Sequence, residues 1–164
     1  MKRGIKQGRE EPVKLYLVQH GEAKSEAEDP QRSLTERGID EVRNVAGVAK
    51  KMGLHPSKIY HSGKQRAKQT AEIFAGSLDR PSEATQGLNP NDEVRVWAER
   101  ISMEREDLMI VGHLPFLEKL ASFLMTGKET HRLVFFRYGS IVCLERKEDG
   151  GWGVRWILTP EMTG

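Results

Sequence analysis

The chain has 164 residues, which suits about one domain that buries roughly two-thirds of its unfolded surface. Its 26 Lys and Arg residues nearly balance 24 Asp and Glu residues, and the net charge of +2 gives no reason to expect nucleic acid or a membrane as partner. Cys143 is the single cysteine, which excludes an intrachain disulfide and makes a reducing cytoplasm the expected location.

Residues 1–12 predict a mobile polar extension, because they are basic but lack the apolar centre of a secretory signal. Residues 13–164 predict a single domain, in which no apolar run approaches the ~20 residues that span a bilayer. The first predicted strand is Leu15–Val18, whose uninterrupted apolar side chains are typical of a strand buried on both faces. The polar residues 22–33 predict a loop.

The first helix has sequence signals at both ends. Thr35 is an N-cap residue type followed by an acidic first turn, and Gly53 is a typical stop. Apolar residues at helical spacing lie between them, namely Ile39, Val42, Val45, Ala46 and Ala49. A short strand at Lys58–Tyr60 and a helix at Ala67–Leu78 are predicted next.

Residues 79–92 are rich in turn-forming residues and predict a long irregular connection, of the kind that often carries function. The elements predicted after it are a helix around Val94–Met103, a strand at Leu108–Val111 and a helix from Pro115 to Met125 that stops at Gly127. The last predicted strands are Leu133–Phe135, Ser140–Arg146 and Trp152–Leu158.

Strands and helices alternate until the last strands, which have no helices between them. This order predicts an α/β fold, a three-layer sandwich in which helices flank a mixed, mostly parallel sheet. Trp152 and Trp156 are four residues apart in one predicted strand, so we expect them to share a face and to pack on a helix.

Candidate functional residues follow three of the predicted strands. His20 and Gly21 come after the first strand, Ser62 and Arg66 after the second, and His113 after the third. Because the carboxyl ends of parallel strands meet at one edge of a sheet, these side chains are expected in a common crevice. Two imidazoles and a guanidinium beside helix N-termini favour a phosphoryl group as the ligand.

The same residues carry a resemblance to a known family. Residues 17–22 resemble the Leu-x-Arg-His-Gly-Glu signature of the histidine phosphatase (phosphoglycerate mutase-like) superfamily. Residues 62–71 are similar to its Ser-x-x-x-Arg-Ala-x-Gln-Thr-Ala segment, residues 34–38 to its Leu-Thr-x-x-Gly helix start, and residues 112–113 to its second histidine. The short chain, without a large insertion, most resembles the SixA-type phosphohistidine phosphatases.

The resemblance implies a phosphatase that needs no metal and no other cofactor. His20 is expected to be the nucleophile that takes the phosphoryl group, while Arg66 and His113 hold the transferred phosphate. The other phosphate-binding candidates are Gln19, Gly21, Ser62 and Lys64. The implied partner is a phosphorylated protein, such as a histidine-containing phosphotransfer domain in a signalling relay, or a small phosphorylated molecule.

Position 19 departs from the family pattern, which has arginine there. The amide of Gln19 can donate a hydrogen bond but carries no charge, so the loss is on the order of 1–2 kcal/mol. Lys64 stands where the family tends to be apolar, and we hypothesise that its ammonium partly compensates. His61 is a further candidate at the edge of the pocket, and Glu22 is expected to orient neighbouring groups.

The group that protonates the leaving group is less defined by the sequence. Many family members have a carboxylate in the loop after the second helix, where Asp92 is the best candidate here and Glu22 the second. A poorly placed acid favours an imidazole leaving group, whose conjugate acid has a pKa of ~6.5, over an alkoxide.

The leading interpretation is a phosphohistidine phosphatase of a signalling protein. One alternative is a phosphatase for small phosphomonoesters, and another is a phosphate-sensing protein that has lost turnover through Gln19. Phe135 and Phe136 are candidates for a docking surface near the pocket.

Overall fold

The computed structural model describes residues 11–164, so most of the predicted extension lies outside the described residues. Six strands form one sheet in the spatial order β3-β2-β4-β1-β5-β6. The strands are β1 (Lys14–Gln19), β2 (Lys58–His61), β3 (Ser82–Ala84), β4 (Leu108–Gly112), β5 (Ile141–Arg146) and β6 (Trp152–Leu158). The helices are α1 (Glu36–Met52), α2 (Gln65–Leu78), α3 (Arg95–Ser102) and α4 (Phe116–Thr126), and a 3₁₀ turn spans Pro160–Thr163.

Strands β3, β2, β4 and β1 run parallel, whereas β5 is antiparallel to both β1 and β6. The predicted α/β fold with a mixed, mostly parallel sheet is therefore confirmed. In residues 11–164, none of the helices has both the length and the apolar character of a membrane span.

Side chains that alternate along β1 build two apolar layers, one on each face of the sheet. Leu15 and Leu17 belong to a cluster that includes side chains of α3 and α4. Tyr16 and Val18 belong to a second cluster, which includes side chains of α1 and α2. The sheet is thus covered on both faces, as a strand without polar alternation requires.

Both ends of α1 follow the signals in the sequence. The Thr35 side chain accepts a hydrogen bond from the Gly38 amide at 2.9 Å, and Gly53 ends the helix in the left-handed region with a φ of 79°. Val42 and Val45 are buried as predicted, whereas Ile39 is only partly buried. The helix therefore starts and stops where local chemistry directs it.

Two predictions about strands are wrong. The region 79–92 contains the short edge strand β3, whose polar residues carry no apolar pattern. Residues 133–135 are not paired in the sheet and lie in the irregular connection between α4 and β5.

The prediction that Trp152 and Trp156 share a face is also wrong. Trp156 pairs with Cys143 but Val154 pairs with Leu144, so β6 has one extra residue at this β-bulge. Trp152 consequently belongs to the cluster of α3 and α4, and Trp156 packs on that of α1 and α2. A bulge inverts the alternation of side chains, and no local sequence signal marks it.

Candidate active site

The carboxyl ends of β1, β2 and β4 bring the candidate residues to one edge of the sheet. His20 follows β1, and its ring centroid lies 5.1 Å from that of His113, which follows β4. The His20 amide donates to the Gly112 carbonyl at 3.1 Å, which ties the two strand ends together. Ser62, which follows β2, has its Oγ 2.6 Å from His113 Nε2.

The His20 ring is held in one orientation by a backbone carbonyl. His20 Nδ1 lies 2.7 Å from the Gly21 carbonyl oxygen, and because a carbonyl only accepts, Nδ1 carries the proton. Nε2 therefore keeps a free lone pair. Burial lowers the His20 pKa to about 4, against the opposing effect of this hydrogen bond and with added repulsion from Arg66 and Arg32. The ring is neutral near pH 7 and can act as a nucleophile.

Gly21 is required by packing against α1. A Cβ at this position would lie 2.8 Å from Val42 Cγ2 and 3.2 Å from the Gly38 carbonyl oxygen. The Gly21 amide donates to Thr70 Oγ1 at 3.0 Å, and that hydroxyl donates to the Arg66 carbonyl at 2.8 Å. These contacts fix the carbonyl that orients His20.

A second chain of hydrogen bonds sets the tautomer of His113. The Lys64 amide donates to Ser62 Oγ at 3.3 Å, and among the described residues the Ser62 hydroxyl has no acceptor other than His113 Nε2, so we assign its proton to that bond. The proton of the neutral ring is then on Nδ1. Burial lowers the His113 pKa to about 3, and the neighbouring charges of His20, Arg66, Lys64 and Arg32 lower it further. Ser62 thus positions His113, in addition to any contact with phosphate.

Among the described residues, three buried side-chain polar atoms have no hydrogen-bond partner, and all belong to the predicted site. They are Gln19 Oε1, Arg66 Nε and His113 Nδ1. Arg66 Nε and His113 Nδ1 are donors, and a rotated Gln19 amide would place a third donor there. Buried donors are rarely left unpaired, so this group of atoms fits an oxyanion ligand.

Arg32 is a site residue that the sequence did not single out. It lies in the loop 22–33 with a positive φ of 52°, and its Nε donates to the Lys24 carbonyl at 3.1 Å. Burial is the largest cause of the lowered pKa values of His20, His113 and Arg66, and the positive charge of Arg32 is a further cause. Lys64 occupies the N-cap position of α2 without a side-chain capping bond and is exposed, and its positive charge helps to lower the pKa of His113.

Tyr138 is a second residue that sequence reasoning missed. Its ring centroid lies 5.5 Å from that of His20, and its side chain is partly open to solvent. The next amide, that of Gly139, donates to the Gln19 carbonyl at 2.9 Å and holds the segment against β1. Tyr138 thus forms one wall beside His20. Neither Tyr138 nor Arg32 directly follows the end of a predicted parallel strand, and neither belongs to a motif that the sequence singled out.

Three further candidates have structural partners away from the phosphate ligands. Asp92 accepts from the Asn89 amide at 2.8 Å and closes the turn before α3. Glu22 accepts from the Thr35 hydroxyl at 2.8 Å, so it anchors the start of α1. His61 Nδ1 accepts from the Gly63 amide at 3.1 Å and shapes the turn after β2. A catalytic role for Asp92 stays a prediction.

Within residues 11–164, no cluster of three or more His, Cys, Asp or Glu side chains is spaced to hold a metal ion. The comparisons with known proteins support a phosphatase with the phosphoglycerate mutase-like fold. A sequence model of the histidine phosphatase superfamily (branch 1) matches residues 15–93, and the chain belongs to this superfamily.

The chain is similar to two curated proteins over most of its length. It is 34% identical to an uncharacterized protein of Picosynechococcus sp. over 79% of this chain and 83% of that one. It is 26% identical to phosphohistidine phosphatase SixA of Escherichia coli over 90% of this chain and 94% of that one. A solved structure of the protein histidine phosphatase SixA complexed with tungstate matches with a TM-score of 0.82 and 24% identity, covering 93% of this chain and 100% of that chain. The resemblance to SixA-type proteins is therefore confirmed.

Proposed function

We propose that this chain is a phosphohistidine phosphatase that works through a phosphorylated His20. The observation that carries the proposal is the pair of buried donors without partners, Arg66 Nε and His113 Nδ1, beside a neutral imidazole whose Nε2 is free. The donors fit the oxygens of a phosphoryl group, and the lone pair fits its phosphorus. The relative complexed with tungstate supports the proposal, since tungstate is a tetrahedral oxyanion like phosphate.

The reaction has two displacements at phosphorus. In the first, His20 Nε2 forms a bond to phosphorus while the P–N bond of the substrate breaks, and the leaving imidazole nitrogen keeps the electron pair and takes a proton from solvent. In the second, a water oxygen bonds to phosphorus and gives a proton to solvent, the electron pair of the P–N bond returns to His20 Nε2, and inorganic phosphate leaves. Phosphoryl transfer needs mainly positioning and charge stabilisation, which Arg66 and His113 supply.

The acid requirement favours imidazole as the leaving group. Among the described residues, no carboxylate forms a hydrogen bond or an ion pair with His20, Arg66 or His113. The Asp92 carboxylate is engaged by the Asn89 amide. An imidazole leaves readily without a strong acid, whereas an alkoxide does not. This preference agrees with the name of the Escherichia coli relative, a phosphohistidine phosphatase.

Gln19 supports a second candidate, a protein that binds phosphate without turning it over. Its side chain is neutral where the family has a guanidinium, and charged hydrogen bonds are about twice as strong as neutral ones. Such a protein would bind phosphate or vanadate at the same donors but would leave the P–N bond intact.

The test compares substrates and one variant. Purified chain is given a phosphohistidine peptide, phosphoramidate and a simple phosphomonoester, and phosphate release is measured for wild type and His20→Ala. We expect turnover of both P–N substrates, slower turnover of the ester, and loss of all turnover in His20→Ala. The exposed histidine variant His55→Ala is the matched control and should retain activity.

Each other outcome has a clear meaning. Faster turnover of the ester than of the P–N substrates would contradict the proposed substrate class and support the small-molecule phosphatase. Binding of vanadate without any turnover in wild type would support the phosphate-sensing protein. Activity that survives in His20→Ala would overturn the assigned nucleophile.

A further inference from the structure

Phosphorylation of His20 would place a positive charge on its ring. Because the Gly21 carbonyl holds a proton on Nδ1, the electron pair that bonds phosphorus comes from Nε2, and the proton stays on the ring. The imidazole becomes an imidazolium in the first displacement and is neutral again when the electron pair returns in the second. His20 is only 6% exposed, so this charge forms where water stabilises it poorly.

The charged groups near His20 do not compensate this positive charge. The charges that act on His20 are those of Arg66 and Arg32, both positive, and His113 is a second imidazole with its centroid 5.1 Å away. The charge of Glu26 acts on Arg66 and is not among those that act on His20. Within residues 11–164, no carboxylate forms a hydrogen bond or an ion pair with His20. An imidazolium at this position therefore needs a partner of another kind.

The Tyr138 ring has the distance and the inclination of such a partner. Its centroid lies 5.5 Å from that of His20, inside the ~6 Å over which an aromatic face attracts a cation. The two ring planes are inclined by 37°, which is closer to an offset stack than to a perpendicular edge-to-face pair. The negative face of the phenol ring gains attraction for His20 once the imidazole is charged.

A hydrogen-bonded turn holds Tyr138 against His20. The Gly139 amide donates to the His20 carbonyl at 3.3 Å as well as to the preceding carbonyl at 2.9 Å. On the other side, the Ser140 hydroxyl donates to the Arg137 carbonyl at 2.6 Å and accepts from the Arg137 amide at 3.0 Å. The Tyr138 side chain itself is 48% exposed and belongs to neither apolar cluster. The turn thus places the ring beside the imidazole and not in the core.

We propose that Tyr138 stabilises the phosphorylated form of His20 by a cation–π contact with its imidazolium ring. This proposal rests on the proposed function, because it concerns the intermediate of that reaction. Tyr138 acts through His20 and is therefore a positioning residue. The contact favours the phosphorylated chain over the free chain, so its loss should slow the first displacement and leave the attack of water on the intermediate no slower.

The test compares three replacements of Tyr138. Tyr138→Phe keeps the negative ring face and is the matched control, whereas pentafluorophenylalanine in place of Tyr138 keeps the ring shape and reverses its charge distribution. Tyr138→Leu removes the ring. With phosphoramidate as substrate, we measure kcat/KM and, by mass spectrometry of the intact chain, the fraction phosphorylated. Tyr138→Phe should stay within about twofold of wild type, and the other two should lose about 3-fold to 30-fold in both quantities.

Vanadate gives a readout that does not depend on turnover. In a five-coordinate complex, vanadium takes the electron pair of His20 Nε2 and the ring becomes positive, whereas phosphate accepts from the surrounding donors without such a bond. Tyr138→Leu should therefore weaken the binding of vanadate by about 3-fold to 30-fold and that of phosphate by less than about twofold. Isothermal titration calorimetry measures both affinities, and urea denaturation shows that the variants are folded.

Other results would overturn the cation–π contact. A loss in Tyr138→Phe as large as that in Tyr138→Leu would assign the effect to the hydroxyl. Full activity with pentafluorophenylalanine would mean that only the shape of the ring matters, and equal weakening of vanadate and phosphate would mean that the ring only supports the pocket. If wild type releases no phosphate from phosphoramidate, the proposed function fails, and the vanadate comparison still decides for or against the role of Tyr138.

Discussion

The two ends of the parallel strands, which we call the two edges of the sheet, differ in the hydrogen bonding of their buried polar groups. At the edge where the strands begin, Asp107 accepts from the Lys14 amide at 2.9 Å, and its carbonyl accepts from the Ser57 hydroxyl at 3.1 Å. Arg146 donates there to the carbonyls of Glu104 and Ile101 and thereby completes the end of α3.

At the opposite edge, where the strands end, the three buried atoms without partners are found, on Gln19, Arg66 and His113. Within residues 11–164, the buried side-chain polar atoms without partners therefore lie at one edge of the sheet and not at the other. Unpaired buried donors cost free energy in the empty protein, and a ligand that accepts from them recovers it. Complete hydrogen bonding thus distinguishes a structural edge, where the strands begin, from the candidate binding edge, where they end.

Replacing one arginine at each edge with alanine should give the largest difference between effects on kcat/KM and effects on stability. Arg66→Ala is expected to lower kcat/KM for a phosphohistidine peptide by about 10²–10³-fold, because a preorganised donor to the phosphate is lost. Its free energy of unfolding should change little, since Arg66 Nε has no partner to lose. Phosphate release and urea denaturation measure the two quantities.

Arg146→Ala is the matched variant at the structural edge. It removes two hydrogen bonds to carbonyls and a stacking contact 5.0 Å from the Trp152 ring, so we expect a destabilisation of about 1–3 kcal/mol with nearly unchanged kcat/KM. A large loss of stability in Arg66→Ala, or of activity in Arg146→Ala, would contradict the division between the edges.

Two glycines of α1 test whether the binding edge is held rigidly. A Cβ on Gly38 would lie 2.2 Å from the Glu22 carbonyl oxygen, whereas a Cβ on Gly47 would meet nothing within 4 Å. Gly38→Ala should therefore destabilise the protein by about 1–3 kcal/mol and displace the loop after His20. Gly47→Ala should stabilise it by about 0.5–1 kcal/mol, because alanine is the better helix former.

Urea denaturation measures the stability of both variants, and phosphate release measures their activity. If Gly38→Ala were as stable and as active as Gly47→Ala, the close contact between α1 and the loop after β1 would not matter for the site.

The low pKa values of the two histidines predict a dependence of stability on pH. His20 titrates at about 4 and His113 at about 3 in the folded protein, against ~6.5 in the unfolded chain. Below pH 6.5 the unfolded chain therefore binds protons that the folded protein does not, and the folded state loses stability as the pH falls toward 4. Between pH 6.5 and 5 the loss is about 1.6 kcal/mol for each imidazole.

Urea denaturation at several pH values measures this slope. His113→Gln should make the slope shallower, and the exposed-residue variant His131→Gln should leave it unchanged. An equally steep slope in His113→Gln would mean that other groups cause the acid sensitivity.

The sequence predicted those features that depend on local chemistry or on strand ends. The cap at Thr35, the stop at Gly53 and the meeting of His20 with His113 are of this kind. The family pattern could be recognised because its motifs lie in these segments.

The features that were missed depend on contacts between distant parts of the chain. Strand β3 pairs as an edge without an apolar pattern, and the bulge at β6 that separates Trp152 from Trp156 is set by pairing with β5. Arg32 and Tyr138 reach the site through a loop conformation and through the hydrogen bond of Gly139 to Gln19. Neither arrangement leaves a periodic signal in the sequence.

Replacing Gln19 with the arginine of the family pattern should have the smallest effect of these variants. It tests directly whether the neutral amide limits activity. Gln19→Arg adds a charged donor beside the nucleophile, and we expect kcat/KM for a phosphohistidine peptide to rise about tenfold, or by on the order of 1–2 kcal/mol. The stability of the empty protein should fall, since another buried cation would face Arg66.

The size of that gain depends on how far other cations already replace the missing guanidinium. Burial is the largest cause of the low pKa of both histidines. The charge of Arg32 lowers the pKa of both further, whereas the charge of Lys64 is a cause only for His113. Arg32→Met should therefore reduce kcat/KM more than Lys64→Met, and Gln19→Arg should restore more activity in the Arg32→Met background. If Lys64→Met has the larger effect, the ammonium of Lys64 is the compensating charge, as the sequence alone suggested. If Gln19→Arg leaves kcat/KM unchanged in both backgrounds, charge at position 19 does not limit phosphoryl transfer in this protein.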